Sequence, residues 1–298
     1  MRIESKIMQN WKYDISTPLV SICCATYNHE NYIAEAIESF LIQETNFPFE
    51  ILIRDDSSTD KTAKIIQKYA QKYPLIIHPI YEEENTYSKG IRPMQELFKV
   101  AKGKYIALCE GDDYWTDSLK LQKQVDFLEK NDEYVIVYSD IQAFDLEGDL
   151  EKNYGGAKRD LEAIELQKCT PLSSATVCFR NCLKDFPVEI QCSKFGDLFL
   201  WSILGEYGKG KYLKDIKLTK YRVHEGGVFS KKTEKTRQEM WFFTTGALCK
   251  YYNRIGNKEL ANYFQIKNLT TSIMIIGLFP LLKIFLIKTL RYIFKKGI

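Results

Sequence analysis

Several common sequence patterns are missing from this chain of 298 residues. It has no internal repeat and no low-complexity segment, and its longest apolar stretch, residues 273–287, is interrupted by Pro280 and Lys283. A membrane-spanning helix needs about 20 apolar residues, and a composition of 45% hydrophobic and 27% charged residues is ordinary for a globular chain. These features argue against a disordered or polytopic membrane protein. The amino-terminal residues lack the apolar segment of a signal peptide, so we expect a cytoplasmic protein.

The usual phosphate-binding and zinc-binding motifs are also missing. Neither GxGxxG nor GxxxxGK[ST] occurs, which gives no support to a common dinucleotide-binding or P-loop protein. The eight cysteines form no CxxC pair and fit a reducing compartment, and the three histidines lack the spacing of a zinc site. A net charge of +3, from 42 basic and 39 acidic residues, gives no sign of a nucleic-acid partner.

The first half of the chain alternates short apolar runs with amphipathic helical patterns. This alternation predicts an α/β fold with a mostly parallel sheet flanked by helices. Residues 145–170 are predicted to be a polar excursion, and the chain from about residue 235 to be helical to its end. Strands are predicted at 19–25, 50–54, 75–81, 104–109 and 135–139, and helices at 32–43, 61–73, 93–101 and 119–129.

Polar side chains follow three of the predicted strands, at residues 26–28, 55–56 and 112–113. Ligands of parallel sheets bind beyond the carboxyl ends of strands. Two adjacent carboxylates repel each other unless a cation or hydrogen bonds stabilise them, and carboxylates suit Mg²⁺ or Mn²⁺. From the residues alone, each Asp pair is also explained by a solvated turn that caps the next helix, and Tyr27 by packing. Among the histidines, His224 in a glycine-containing loop beside Arg222 is the one predicted to be functional.

Three segments resemble, in order, the motifs of family 2 glycosyltransferases with the GT-A fold. They are VSICCATYNHENYIAEAIESFLIQ, EILIRDDSSTDKT and GKYIALCEGDDYW, and the stretch EGDDYW…KLQKQ is similar to bacterial enzymes that build surface polysaccharides. The resemblance covers residues 17–140 closely and 170–230 more loosely. It implies a catalytic domain at 1–230, with a donor half at 17–140 and an acceptor half at 141–230, and a helical carboxyl-terminal extension at 231–298.

The resemblance implies roles for five residues at the nucleoside end of a nucleotide-sugar donor. Tyr27 would stack on the nucleobase, and Thr26 and Asn28 would line its pocket. Asp56 would hydrogen-bond the base, and Asp55 would shape the turn. These assignments predict a binding pocket that joins the loops after the first two strands.

For the diphosphate, the resemblance implies a Mn²⁺ or Mg²⁺ cofactor. Asp113 would bind the metal, Asp112 would face the ribose or donor sugar, and His224 would meet the metal or the diphosphate. Apart from the resemblance, Lys89 and Arg92 lie in the variable segment between strands, and we expect them to contact phosphate.

The resemblance further implies one acidic residue that takes the proton of the acceptor hydroxyl. Asp197 in the sequence FGDL is the best match, and Glu189 and Asp185 are weaker candidates. The chain is therefore expected to be an inverting hexosyl- or N-acetylhexosaminyltransferase that moves sugar from a UDP-sugar to a glycan or lipid-linked acceptor. Two alternatives stay open: a catalytically inert nucleotide-binding scaffold, and a sugar nucleotidyltransferase, which would normally have the glycine-rich phosphate loop that is missing here.

The last residues of the chain are basic and amphipathic. Lys288, Arg291 and Lys295 fall on one side of a helical wheel, and an apolar side opposes them (Leu282, Leu286, Leu290 and Ile293). Such helices lie on anionic membrane surfaces. We therefore expect peripheral attachment to the inner face of the cell membrane, the alternative being a helix that packs on the catalytic domain.

Overall fold

A computed structural model describes residues 3–151, 154–183, 185–227, 232–280, 282–283 and 286–288. Within these ranges the chain forms two compact units. The first comprises residues 1–186 and 200–230, and the second comprises residues 187–199 and 231–298. The first unit contains both β-sheets, and the second is helical.

Ten strands are described, and all of them belong to the first unit. Seven form the main sheet in the order β3-β2-β1-β4-β8-β5-β9, and three form a small sheet in the order β10-β6-β7. Within the main sheet only β8 is antiparallel to its neighbours, so the predicted mostly parallel sheet is confirmed. The strands are β1 (Val20–Thr26), β2 (Phe49–Asp55), β3 (Ile77–Tyr81), β4 (Tyr105–Leu108), β5 (Tyr134–Tyr138), β6 (Ile141–Asp145), β7 (Gly148–Asp149), β8 (Cys178–Arg180), β9 (Lys209–Tyr212) and β10 (Thr219–Arg222).

The helices of the first half lie close to where their apolar periodicity predicts them. In α2, for example, Ile33, Ile37 and Phe40 recur every three or four residues and are fully buried. The described helices are α1 (Glu4–Met8), α2 (Ile33–Leu41), α3 (Thr62–Lys72), α4 (Pro93–Val100), α5 (Lys120–Lys130), α6 (Ala163–Gln167), α7 (Gly196–Leu204), α8 (Glu234–Arg254) and α9 (Lys258–Ile276).

The strands at the centre of the main sheet end together at one edge. β1 and β2 are buried along nearly their whole length, as expected for strands that are covered by helices on both faces. In their parallel register Thr26 pairs with Asp55, while Cys23 of β1 pairs with Leu108 at the end of β4. The loops that carry the polar motifs therefore leave the sheet side by side.

The small sheet is an element that the sequence pattern did not predict. Residues 145–170, predicted to be a polar excursion, contain β7 and α6. Both elements are too short to show periodicity: β7 has 2 residues and α6 has 5. α6 begins with a capping box, in which the side chains of Glu162 and Glu165 each accept the backbone N–H of the other residue. A capping box marks the start of a helix without any apolar periodicity.

The second unit consists mainly of α8 and α9. The rings of Tyr252 and Phe264 stack between them, with centroids 5.7 Å apart. Thr244 Oγ1 of α8 accepts the backbone N–H groups of Lys194 and Phe195, which fixes the segment before α7. No helix in the described ranges is both long and apolar enough to span a membrane.

Apolar side chains are exposed along the end of α9 and the helical residues that follow it. Met274 is 70% exposed and Phe279 is 85% exposed. Arg291, Lys295, Leu290 and Ile293, which complete the predicted amphipathic tail, lie outside the described residues. The other exposed apolar residues of this stretch are Ile266, Leu269, Ile276, Leu278, Leu282, Leu286 and Ile287.

Candidate donor and metal site

The loop after β1 is tied to the loop after β2 by hydrogen bonds. Asn28 has a φ of 55°, a left-handed conformation that Asn tolerates better than most residues. Its Oδ1 accepts the backbone N–H of Thr59 at 2.8 Å, and its own backbone N–H donates to Ser58 Oγ at 2.8 Å. Thr26 is buried, whereas the neighbouring Tyr27 is 41% exposed. The Tyr27 ring is thus accessible at the sheet edge.

Asp55 and Asp56 are both buried, and their carboxylates accept backbone N–H groups from two different segments of the chain. Ser58 donates its N–H and its hydroxyl to Asp55. These hydrogen bonds lower the pKa of Asp55, but burial outweighs them and the pKa is raised above its usual value. Asp56 accepts the backbone N–H groups of Thr86 at 3.0 Å and Tyr87 at 2.9 Å. Asp56 therefore holds the segment after β3 against the end of β2.

The two basic residues predicted to meet phosphate lie in that same segment after β3. Lys89 forms an ion pair with Glu84, and both side chains are more than half exposed. Arg92 precedes α4 and is partly buried. Neither belongs to the cluster of carboxylate and imidazole groups described next, so their contact with phosphate stays a prediction.

The loop after β4 approaches the loop after β1 very closely at Gly111. Its backbone N–H donates to the Ala25 carbonyl at 3.0 Å. A Cβ at Gly111 would lie 2.7 Å from Thr26 Oγ1, which is too short for a non-bonded contact. Only glycine fits here without a shift, and this close approach delivers the next residue, Asp112, to the carboxyl end of β1.

Asp112 lies between two histidines that are distant in sequence. His224 Nε2 is 2.9 Å from Asp112 Oδ2, and His29 Nε2 is 3.8 Å from the same oxygen. One ligand atom from each of the three residues lies within 4.8 Å of the others. The structure thus brings the predicted residues Asp112 and His224 together and adds His29, which sequence reasoning missed.

The protonation states of this cluster suit a cation. Burial would raise the pKa of Asp112, but the hydrogen bond with His224 and the charges of both imidazoles outweigh it and hold that pKa below its usual value. Burial lowers the pKa of His29, and the Asp112 carboxylate offsets this only in part. The cluster therefore brings one carboxylate and two imidazoles together, groups that bind metals in their unprotonated forms.

Asp113 has surroundings quite different from those of its neighbour. It is buried, and its Oδ1 accepts the backbone N–H of Arg222 at 2.8 Å. Burial, reinforced by the charges of Asp112 and Glu110, raises the pKa of Asp113 well above its usual value. The structure places Asp113 outside the three-residue cluster, in a position where it anchors the end of β10.

Arg222 connects β10 to the loop after β4 and to α2. Its Nε donates to the Asp112 carbonyl at 2.9 Å, and its guanidinium pairs with Glu35. The same group lies 4.6 Å from the centre of the Tyr32 ring and 4.5 Å from that of Phe144. These contacts fix Arg222 at the end of β10, two residues before His224.

His29 is the functional candidate that the sequence reasoning overlooked. It lies two residues after Tyr27 in the same strand-end loop, so its position relative to β1 was the available signal. The spacing in the sequence gave no reason to place His29 beside His224, because the two residues are 195 positions apart in the chain. Only the folded sheet edge brings them together.

The candidate catalytic bases lie in different places. Asp197 is partly buried in the first turn of α7 and belongs to the second compact unit. Glu189, also in the second unit, forms an ion pair with Arg254 at 2.6 Å. Asp185 is exposed and belongs to the first unit. The role of Asp197 stays a prediction.

Comparison with known proteins identifies relatives along most of the chain. The profile of "Glycosyl transferase family 2" matches residues 21–185. The chain is 33% identical over 227 residues to UDP-Glc:alpha-D-GlcNAc-diphosphoundecaprenol beta-1,3-glucosyltransferase WfaP of Escherichia coli, which covers 72% of this chain and 81% of WfaP. It is also 37% identical over 165 residues to an uncharacterized protein of Mycobacterium tuberculosis, covering 54% of this chain. The chain spans about half of that relative's length (47%).

Solved structures share the fold at low sequence identity. TarS 1-349 of S. aureus in complex with UDP superposes with a TM-score of 0.59 at 19% identity, covering 86% of this chain and 73% of that one. The mannosyltransferase PcManGT of Pyrobaculum calidifontis, in complex with GDP-Man and Mn²⁺, gives 0.55 at 15% identity, covering 94% and 82%. Both structures have the GT-A fold, so the predicted fold class is confirmed.

Proposed function

Because the chain belongs to glycosyl transferase family 2, as its three motifs predict, we propose that it transfers a sugar from a nucleotide-sugar to a glycan or lipid-linked acceptor. The transfer is metal-dependent, inverts the anomeric carbon and serves the synthesis of a surface polysaccharide. The observation that carries the proposal is the cluster of Asp112, His29 and His224 at the sheet edge where Tyr27 is exposed.

The donor site follows from the loops that meet at that edge. Tyr27 offers an accessible ring for a nucleobase, and Asn28 ties its loop to the one that carries Asp56. Asp56 supports the pocket by holding Thr86 and Tyr87. A uridine nucleotide is the expected donor, since TarS binds UDP and WfaP is named for UDP-Glc.

The cluster fits a divalent cation by the chemistry of its donors. The Asp112 carboxylate and the imidazoles of His29 and His224 converge there, each with one ligand atom within 4.8 Å of the others. We assign Asp112 and His224 as metal ligands, and Asp113 as the residue that positions Arg222. A bound Mn²⁺ or Mg²⁺ would stabilise the negative charge that develops on the leaving diphosphate.

The proposal is tested by the melting temperature of the purified chain with a panel of nucleoside diphosphates, with and without Mn²⁺. A ligand that binds only the folded state raises the melting temperature once its concentration exceeds Kd. We expect UDP with Mn²⁺ to raise it, and ADP or CDP to do so less. If no nucleotide stabilises a chain whose circular dichroism shows it to be folded, the proposed donor site is wrong.

Membrane attachment is proposed for the carboxyl-terminal residues. Phe279 and Leu282 are exposed apolar residues, and Lys283 and Lys288 carry charges that attract anionic lipid. Such a surface would keep the enzyme at the inner face of the membrane, beside a lipid-linked acceptor.

We expect the double variant Phe279→Glu, Leu282→Glu to lose recovery with phosphatidylglycerol vesicles in flotation. Acidic side chains would oppose both apolar insertion and the anionic surface. The matched control is Leu146→Glu, since Leu146 is fully exposed (100%) in the first unit. Equal flotation of the double variant and the native chain would refute membrane attachment through these residues.

A further inference from the structure

His29 gives the cluster more ligand capacity than one carboxylate and one imidazole. Its side chain is 14% exposed, and Nε2 lies 3.8 Å from Asp112 Oδ2, beyond hydrogen-bond distance. The other ring nitrogen, Nδ1, is buried and has no hydrogen-bond partner in the part of the chain that the structure describes. Nε2 is the ring nitrogen that faces Asp112, and a lone pair on Nε2 would let His29 and Asp112 hold one ion between them.

The position of His29 is fixed by its backbone and by its ring. Its N–H donates to Thr62 Oγ1 at 2.8 Å, and its carbonyl accepts the N–H groups of Tyr32 and Ile33 at 2.9 Å each. Its ring meets that of His224 edge-on, with centroids 5.8 Å apart. A side chain held in this way before a ligand arrives loses little conformational freedom on binding.

We infer that His29 is a third protein ligand of the divalent ion, so that two imidazoles and one carboxylate hold it without help from the nucleotide. The inference deepens the proposed function and rests on it for the identity of the site. Mg²⁺ prefers oxygen ligands and gives up water reluctantly, whereas imidazole suits transition-metal ions. The donor set therefore selects Mn²⁺ over Mg²⁺, a choice that the sequence leaves open.

Electron paramagnetic resonance of Mn²⁺ tests this inference on the full chain with no nucleotide present. Binding removes the signal of free Mn²⁺, and we expect one ion per chain that only a large excess of Mg²⁺ displaces. Pulsed measurements on the bound ion detect directly coordinated nitrogen. We expect coupling to two nitrogens in the native chain, a result that needs no variant.

The variant His29→Gln should keep the ring position filled but remove one nitrogen ligand. We expect its Mn²⁺ Kd to rise by at least about tenfold, the lower end of what losing a group that supports a metal costs, with coupling to one nitrogen. His78→Gln is the matched control, because His78 lies in β3 and outside the cluster.

Two results would overturn the inference. One is a native chain that binds Mn²⁺ only when UDP is present, or with coupling to one nitrogen. The other is a folded His29→Gln chain with native Mn²⁺ affinity. In both cases UDP with Mn²⁺ would still raise the melting temperature, whereas failure of the proposed function would remove that stabilisation as well.

Discussion

Asp112→Asn is expected to lower kcat for sugar transfer by about 10²–10³-fold, the cost typical of losing one group that stabilises transition-state charge. The substitution removes the negative charge at the centre of the His29 and His224 cluster and leaves the side-chain shape nearly unchanged. An amide oxygen can still accept a hydrogen bond from His224, so the loop should keep its position. The measurement is release of UDP from a UDP-sugar in the presence of a lipid-linked glycan acceptor, at saturating Mn²⁺.

Asp113→Asn is the comparison that separates the two neighbouring aspartates. Asp113 Oδ1 accepts the backbone N–H of Arg222, and an amide oxygen can do the same. Its pKa is already raised well above the usual value, so an uncharged group suits its surroundings. We therefore expect Asp113→Asn to keep Mn²⁺-dependent stabilisation by UDP, which Asp112→Asn should lose. The reverse outcome would support the assignment of the metal to Asp113 that the sequence resemblance implied.

The choice between Asp112 and Asp113 shows where sequence reasoning reaches its limit. Adjacent residues in a strand-end turn point in different directions, and the sequence does not say which one faces the ligand. Our proposal of Asp112 rests on β10, because the Arg222 backbone N–H donates to Asp113 and the loop after β10 brings His224 to Asp112. These contacts span more than 100 positions, a distance over which local patterns carry no information.

The first strands of the central sheet were predictable because local sequence patterns mark them. β1 and β2 are mainly apolar runs followed by polar loops, and α2 and α5 show much of their buried faces as apolar repeats. The apolar pattern gives the wrong prediction where a charged residue is buried. Lys120 is fully buried, with Nζ 4.1 Å from the centre of the Trp115 ring, and burial lowers its pKa to about 8. Nothing in the local sequence distinguishes it from an exposed lysine at the start of a helix.

Asp197→Asn is expected to abolish transfer while leaving the donor site intact. If Asp197 takes the proton of the acceptor hydroxyl, an amide cannot replace it, and a lost general base costs about 10²–10⁴-fold in rate. Asp197 lies in α7 in the second unit, whereas Asp112, His29 and His224 belong to the first. Because a base that acts only on the acceptor does not hold the nucleotide, stabilisation by UDP and Mn²⁺ should equal that of the native chain.

Asp215→Asn makes the same chemical change at an exposed aspartate to which no role is assigned, and it serves as the control for Asp197→Asn. We expect Asp215→Asn to retain native kcat and native stabilisation by UDP. Strong residual transfer by Asp197→Asn would reject Asp197 as the base. Equal loss of transfer and of UDP binding would instead show that Asp197 supports the fold or the donor, because a base that acts only on the acceptor has no part in holding the nucleotide.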